Sequence, residues 1–293
     1  MVRHLIVPIA IIIGSTQMAA AEPTMWVVKN GDSTLYLMGT LSIMKTDSSR
    51  WYGAKIDRVL RACDQFWTVY DHDADKAIGQ TYTMNFGVDY QHPLAEKLGP
   101  QDYALLLKLL QEHGVQEDQV RFFRPWSVTL TLQSRVFRDR GFVLSKGADE
   151  ILATRARQYG KEIGFLETAT EQLGHLARLS RASEVELLRK TVHEIAADED
   201  NGQGLMQTEA IEAAWIAGDS KSVAGMTFMQ MSAKSPDVYN ALITERNAAW
   251  MQKILALLQK PGTYFVAVGD LHITNRDGIP ALLREKGFKV ERY

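Results

Sequence analysis

The sequence predicts an α/β protein whose sheet is built from N- and C-terminal strands, with a helical middle region covering it. Three observations carry that reading. The stretch "MWVVKNGDSTLYLMGTLS" from Met25 places two apolar, β-prone runs on either side of an Asn30-Gly31-Asp32 turn, which is a hairpin signal. Near the other end, "TYFVAV" is a continuous apolar run of the kind a buried strand needs. Between them apolar residues recur mainly at the helical spacing, and no Pro-, Ser- or Gly-rich linker separates two autonomous halves.

The elements follow in order. After the hairpin, "WYGAKIDRVLRACD" spaces Ile56, Val59, Leu60 and Cys63 as one helical face, and "QFWTVYD" suits a buried strand. From about Pro93 to Leu132 the pattern is helical, with Leu94, Leu98, Leu105, Leu106, Leu109 and Leu110 on repeating faces and a break at Arg124-Pro125-Trp126. "GADEILATRARQYGKEIGFLET" reads as a helix ended near Gly160 and a short strand over Glu162 to Leu166. Glu171 to Leu258 is almost wholly helical, punctuated at Asn201-Gly202, Gly218-Asp219 and Pro236. The chain closes with a strand over Tyr264 to Val268, a Gly-containing loop, a helix over Ile279 to Lys286 and a last strand over Lys289 to Arg292.

Residues 1–21 form a separate unit. Arg3 supplies a basic start, Leu5 to Ile13 an apolar run, and Ala19-Ala20-Ala21 a small-residue site before Glu22-Pro23. These are the three parts of a secretory signal peptide, too short to span a bilayer comfortably. Cleavage is expected after Ala21, which makes residues 22–293 a single exported domain, periplasmic or extracellular. No later run is long enough for a membrane span.

Composition narrows the function classes. The 293 residues are 46% hydrophobic and 23% charged, an ordinary globular balance. Lys and Arg number 33 against 35 Asp and Glu, so the chain has no basic footprint for nucleic acid. The single cysteine, Cys63, cannot form an internal disulfide, and its place on the apolar side of a helix makes it a core residue.

Two phrases from opposite ends stand out, "LYLMGTLSIMK" (Leu35 to Lys45) and "YFVAVGDLHIT" (Tyr264 to Thr274). Laid over one another they match Gly39 with Gly269, Leu41 with Leu271 and Ile43 with Ile273, while Ser42 stands where the other has His272. Both follow predicted strands, so both loops are expected to leave the sheet at the edge where α/β proteins place ligands. His272 is free to move a proton or bind a metal. Asp270 beside it is either a carboxylate partner or a turn-forming residue.

Taken together, these phrases with "RPW" at Arg124, "KGADEILATRARQYGKEIGFLETATEQL", "AAWIAGD", "ERNAAWMQKI" and "PGTYFVAVGDLHI" resemble the TraB/PrgY/GumN family, in its GumN-like bacterial branch. The animal relatives include the Tiki proteases. The resemblance runs over nearly the whole mature chain and implies a single domain over 22–293. It also implies a divalent-metal site, with Mn, Co or Zn, made by two Gly-x-x-His motifs and an acidic strand-end residue. On this chain the second motif is intact as Gly269-Asp270-Leu271-His272. The first is Gly39-Thr40-Leu41-Ser42 without its histidine, and the acidic position falls on Val69, with Asp71 two residues later.

A catalytic transition metal takes about three protein ligands and an open position; valine cannot coordinate, and a neutral serine hydroxyl is a poor replacement for imidazole. The resemblance therefore implies an exported protein with a degenerate site, impaired in catalysis and acting as a binding or accessory protein of the cell envelope. Such a site would hold a divalent metal loosely or not at all, and the partner would be a peptide, protein or envelope polysaccharide. The alternative is an active divalent-metal hydrolase, most plausibly a peptidase, rebuilt from His272, Asp71, His72 and Glu167, with Asp270 as a further donor. "YDHD" over Tyr70 to Asp73 reads more simply as a polar turn after a buried strand than as a shifted ligand set, and Ser42 facing His272 lacks an orienting acid at a known spacing. Glu167 and Arg246, from "LET" and "ERN", are the other candidate catalytic residues. Glu167 and Gln172 either line a pocket or cap a helix through Thr168 and Glu171, and Arg246 is either a substrate clamp or a buried anchor.

Overall fold

The computed structural model describes residues 22–45, 47–71, 76–143, 146–201, 203–226 and 235–293. The expected leader and its cleavage point, His72 and most of the Met-rich stretch after Gly225 lie outside these residues.

The hairpin forms as expected. Strands β1 (Met25–Asn30) and β2 (Ser33–Thr40) pair antiparallel from Met25↔Met38 to Asn30↔Ser33. Gly31, at φ +56°, and Asp32 make the two-residue connection, a turn whose left-handed backbone favours glycine. Helix α1 (Ala54–Ala62) leads to β3 (Gln65–Thr68), and α7 (Ala148–Gln158) leads to β4 (Glu162–Phe165). Helix α7 ends before Gly160 at φ +67°. The closing segment supplies β5 (Gly262–Gly269), α14 (Ile279–Glu285) and β6 (Val290–Arg292).

These strands make one sheet in the order β4-β3-β5-β2-β1-β6. Strands β4, β3, β5 and β2 are mutually parallel, while β1 runs antiparallel to both β2 and β6. The two ends of the chain therefore meet in the sheet, with β5 between β3 and β2. The β2–β5 ladder sets Gly39 opposite Val268 and Thr40 opposite Gly269, one residue away from the overlay of the two phrases. Residue identity suggested the overlay, but strand register follows which side chains face which layer.

That alternation is visible in β5. Phe265 and Ala267 point into a core shared with α1, α7 and Trp215. Tyr264, Val266 and Val268 point to the opposite face, against Trp250, Met251 and Ile254 of α13 (Glu245–Leu258) and Ile279 and Leu283 of α14. On α1 the buried residues are Ile56, Val59 and Leu60, each contributing roughly 1.5–3 kcal/mol by leaving water. Cys63 joins the same core at 1% exposure.

The helical middle builds a second body of core beyond the sheet. Helices α2 (Lys76–Phe86), α3 (Leu94–Lys97), α4 (Pro100–Glu112), α5 (Glu117–Val120) and α6 (Pro125–Asp139) precede α7. After β4 come α8 (Ala169–Ala177), α9 (Arg181–Asn201), α10 (Gln203–Ile216), α11 over 220–226 and α12 (Pro236–Tyr239). Leu106, Leu109 and Leu110 of α4 pack with Val128, Leu132 and Val136 of α6 and Leu188 and Val192 of α9. Arg124, at the start of α6, pairs with the buried Glu184 and donates to the Phe86 and Ala177 carbonyls, so it ties α2, α8 and α9 together.

Candidate active-site cleft

The carboxyl ends of β2 and β5 open into a cleft of about 370 Å³. Its walls are largely apolar, with Ile43 after β2, Phe137 from α6, Ile211 from α10, and Leu242 from the π-helical turn Asn240–Thr244. Ser42 and His272 both line it, together with Thr40, Glu212, Arg246 and Asp270. Two loops widely separated in sequence share one cavity because β2 and β5 are parallel neighbours.

Beyond Gly269 the chain turns into one 3₁₀ turn, Asp270–His272. Asp270 is 7% exposed, and its Oδ2 accepts from the Thr274 hydroxyl at 2.9 Å. Burial pushes the carboxyl up to about 6, against the opposing pull of that hydrogen bond. Gly39 lies directly against this carboxylate, where a Cβ would overlap Oδ1.

His272 is held from both ring nitrogens. Its Nδ1 lies 2.7 Å from Asn247 Oδ1, while the same amide donates through Nδ2 to the Asp277 carbonyl at 2.9 Å. The Asn247 oxygen is thus the acceptor, and the network places the imidazole proton on Nδ1. Nε2 is left as a lone pair facing Arg246 Nη1 at 3.4 Å. The ring stacks at a tilt against Trp250, 4.4 Å between centres. Burial first, and the Arg246 charge second, hold the imidazole pKa well below its ordinary value, so the ring is neutral at neutral pH.

Arg246 is itself clamped. Nε and Nη2 reach the two oxygens of Glu167 at 3.1 and 2.5 Å, a bidentate pair in which both side chains are nearly out of water. Trp250 Nε1 adds a third donor to Glu167 at 3.0 Å, and Arg246 Nη1 also donates to the Leu242 carbonyl. The "LET" phrase just past β4 and the "ERNAAW" phrase on α13 therefore meet through four side chains: Glu167, Arg246, Trp250 and, by way of His272, Asn247. The capping role in "LETATEQL" belongs to Thr168 and Glu171, which form a reciprocal capping box.

The remaining expected residues sit apart. Val69 packs with the Trp250 core group, and its carbonyl accepts from the Glu167 amide at 2.9 Å. Asp71 lies 3.7 Å from Arg157 on α7 and does not line the cleft. His72 is outside the described residues.

Among the described residues of the cleft, the donor chemistry does not fit a divalent metal. Among the described residues no three His, Cys, Asp or Glu side chains converge. The Nε2 lone pair of His272 faces a guanidinium, and both oxygens of Glu167 are engaged by Arg246 and Trp250. Asp270 and His272 remain as neighbours, short of the roughly three protein ligands a catalytic metal needs.

The model of the TraB/PrgY/gumN family matches residues 24–292. The chain belongs to the TraB/PrgY/gumN family. It is similar to the uncharacterized protein YbaP of Escherichia coli (strain K12), with 27% identity over 191 residues, 65% of this chain and 68% of the relative. YbaP of Shigella flexneri matches to the same extent. No solved structure matches. The "LET", "ERNAAW" and "VGDLHI" phrases meet at the cleft and its supports, whereas the "RPW" phrase at Arg124 lies in the helical body.

Several members of this constellation were not legible beforehand. Asn247 and Trp250 stood in the "ERNAAW" phrase, but their hold on His272 and Glu167 depends on how α13 lies across the sheet. Glu212 and Phe137 reach the cleft from α10 and α6, with no local signal to announce it.

Proposed function

We propose that this TraB/PrgY/gumN protein is exported and works as a binding or accessory protein of the cell envelope, with a cleft that has lost its metal chemistry. The observation that carries this reading is the orientation of His272: neutral, with Nδ1 spent on Asn247 and Nε2 turned toward Arg246. Ser42 in place of the first-motif histidine, and Val69 packed against the core where an acidic ligand would be needed, support it. What is left is a mainly apolar cavity with a few fixed polar groups, which is the make-up of a ligand site. A peptide, a protein segment or an envelope component is the class of partner proposed.

The alternative, a divalent-metal hydrolase rebuilt around His272, would need donors that the described part of the cleft does not bring together. Peptide hydrolysis measured with added Mn, Co and Zn separates the two. The binding reading expects no rate above that of His272→Ala. A metal-stimulated rate that disappears in His272→Ala would replace it with the hydrolase.

A further inference from the structure

Helix α2 and the turn after it carry no charged residue from Ala77 to Val88, "AIGQTYTMNFGV". Among the described residues five large hydrophobic side chains are exposed, and four of them, Ile78, Met84, Phe86 and Tyr90, fall on this helix or just beyond it. Phe86 is 51% exposed and Tyr90 72%. Single apolar residues scattered over a surface need no explanation, whereas a cluster marks a surface that another molecule covers. None of the four lines the cleft.

The cluster is hollowed. Two cavities of about 490 and 330 Å³ share Asn85 and Phe86 in their walls. The smaller runs along α2 to Ile78 and Tyr82, and the larger reaches α9 at Arg181 and Val185. The Tyr82 and Phe86 rings lie 4.5 Å apart between centres and form the ridge of α2 there.

The border of the cluster is basic. Arg181 shares the larger cavity with Phe86, and Arg178 approaches Gly174 beside the Tyr82 hydroxyl. Arg121 stands 5.4 Å from the centre of the Phe122 ring, which packs 5.7 Å from that of Tyr90. All three arginines are exposed, and among the described residues none pairs with a carboxylate. The acids of the larger cavity are mostly engaged, Asp89 by Lys97 and His92 and Glu184 by Arg124, which leaves Glu96 against the three arginines. Aromatic residues, Met and Arg are the types enriched where proteins meet, and Lys, Glu and Asp are depleted there.

We infer that α2 and the hollows beside it dock an acidic peptide segment of another protein, its apolar side chains seated in the hollows and its carboxylates on Arg121, Arg178 and Arg181. A second copy of this chain would bring the same arginines face to face across a two-fold contact. A lipid surface would leave the hollows unfilled. The inference goes beyond the cleft and is independent of what the cleft binds.

Selection of a random peptide display library on residues 22–293, followed by fluorescence anisotropy of the synthesised winners, tests this. The enriched peptides are expected to combine net negative charge with Phe, Leu, Met or Trp. Phe86→Ser should weaken them by at least about tenfold, and so should Arg121→Glu combined with Arg181→Glu. Met84→Ser, on the same exposed helix, carries the same direction of effect should thermal melting show that Phe86→Ser disturbs the fold. Failure to enrich any peptide, winners without net negative charge, or winners that keep their affinity for both α2 variants would overturn the inference. Binding of the parent to phosphatidylglycerol vesicles that is lost in Phe86→Ser would overturn it in favour of a lipid surface. A parent mass that doubles with concentration, and does not in Phe86→Ser, would overturn it in favour of a second copy.

Discussion

Gly39 and Asp270 are in contact across the β2–β5 seam. A Cβ at position 39 would overlap Oδ1 and crowd the Cα of Asp270. The glycine of the first family phrase is there to admit the aspartate of the second, which links the two motifs through packing, independently of any metal.

Gly39→Ala should therefore destabilise the protein by about 1–3 kcal/mol, the cost of forcing extra volume into a packed site. Urea unfolding measures it. Combining Gly39→Ala with Asp270→Ala should recover part of the loss, because the clash involves the Asp270 side chain; strictly additive effects would contradict the contact.

The Glu167–Arg246 pair is the buried electrostatic link of the site. Glu167→Gln leaves the guanidinium largely uncompensated and should cost about 3–5 kcal/mol. In an Arg246→Met background the same change should cost far less. Chemical denaturation of the four proteins gives the coupling directly.

Asp270 and His272 pull stability in opposite directions with pH. The Asp270 carboxyl rises from 3.8 unfolded to about 6 folded, so its contribution is fully present below pH 3.8 and is lost as pH climbs through 6. Asp270→Asn, which cannot ionise, should gain on the parent as pH rises across that window. The change amounts to about 2–3 kcal/mol. His272, with its folded pKa lowered, contributes above its unfolded pKa of 6.5 and loses that contribution as pH falls. Thermal melting of parent, Asp270→Asn and His272→Gln between pH 4 and pH 8 should resolve the two slopes, with His272→Gln flattening the acid-side loss.

Cys63 should be inert in the folded protein. Burial pushes its thiol up to about 11 and leaves the residue 1% exposed, so little thiolate is available. Labelling with a thiol-reactive disulfide should be slow in native buffer and stoichiometric in denaturant. Rapid native labelling would place Cys63 outside the core described here.

Much of the fold was readable because the decisive signals are local. Gly31 announced the hairpin, the apolar run in Tyr264 to Val268 announced the central strand, and Gly160 marked the end of α7. The cleft was only half readable. Ser42, Arg246, Asp270 and His272 could be picked out as residue types at strand ends or in family phrases. The one-residue register between β2 and β5, the turn of His272 toward Arg246 and the approach of Asp270 to Gly39 are tertiary facts, set by which faces of β5 and α13 are buried. Phe137 and Glu212 lie on helices whose own sequence gives no hint that they reach the site.

The most direct test of the account is calorimetric titration of residues 22–293 with manganese, cobalt and zinc, beside Ser42→His, His272→Ala and the double variant. The account predicts no micromolar binding by the parent, because Nε2 of His272 faces Arg246 and Ser42 offers no imidazole. It predicts a gain in Ser42→His that vanishes when His272→Ala is added. Micromolar binding by the parent, abolished by His272→Ala alone, would show that the cleft still holds a metal and would contradict the account.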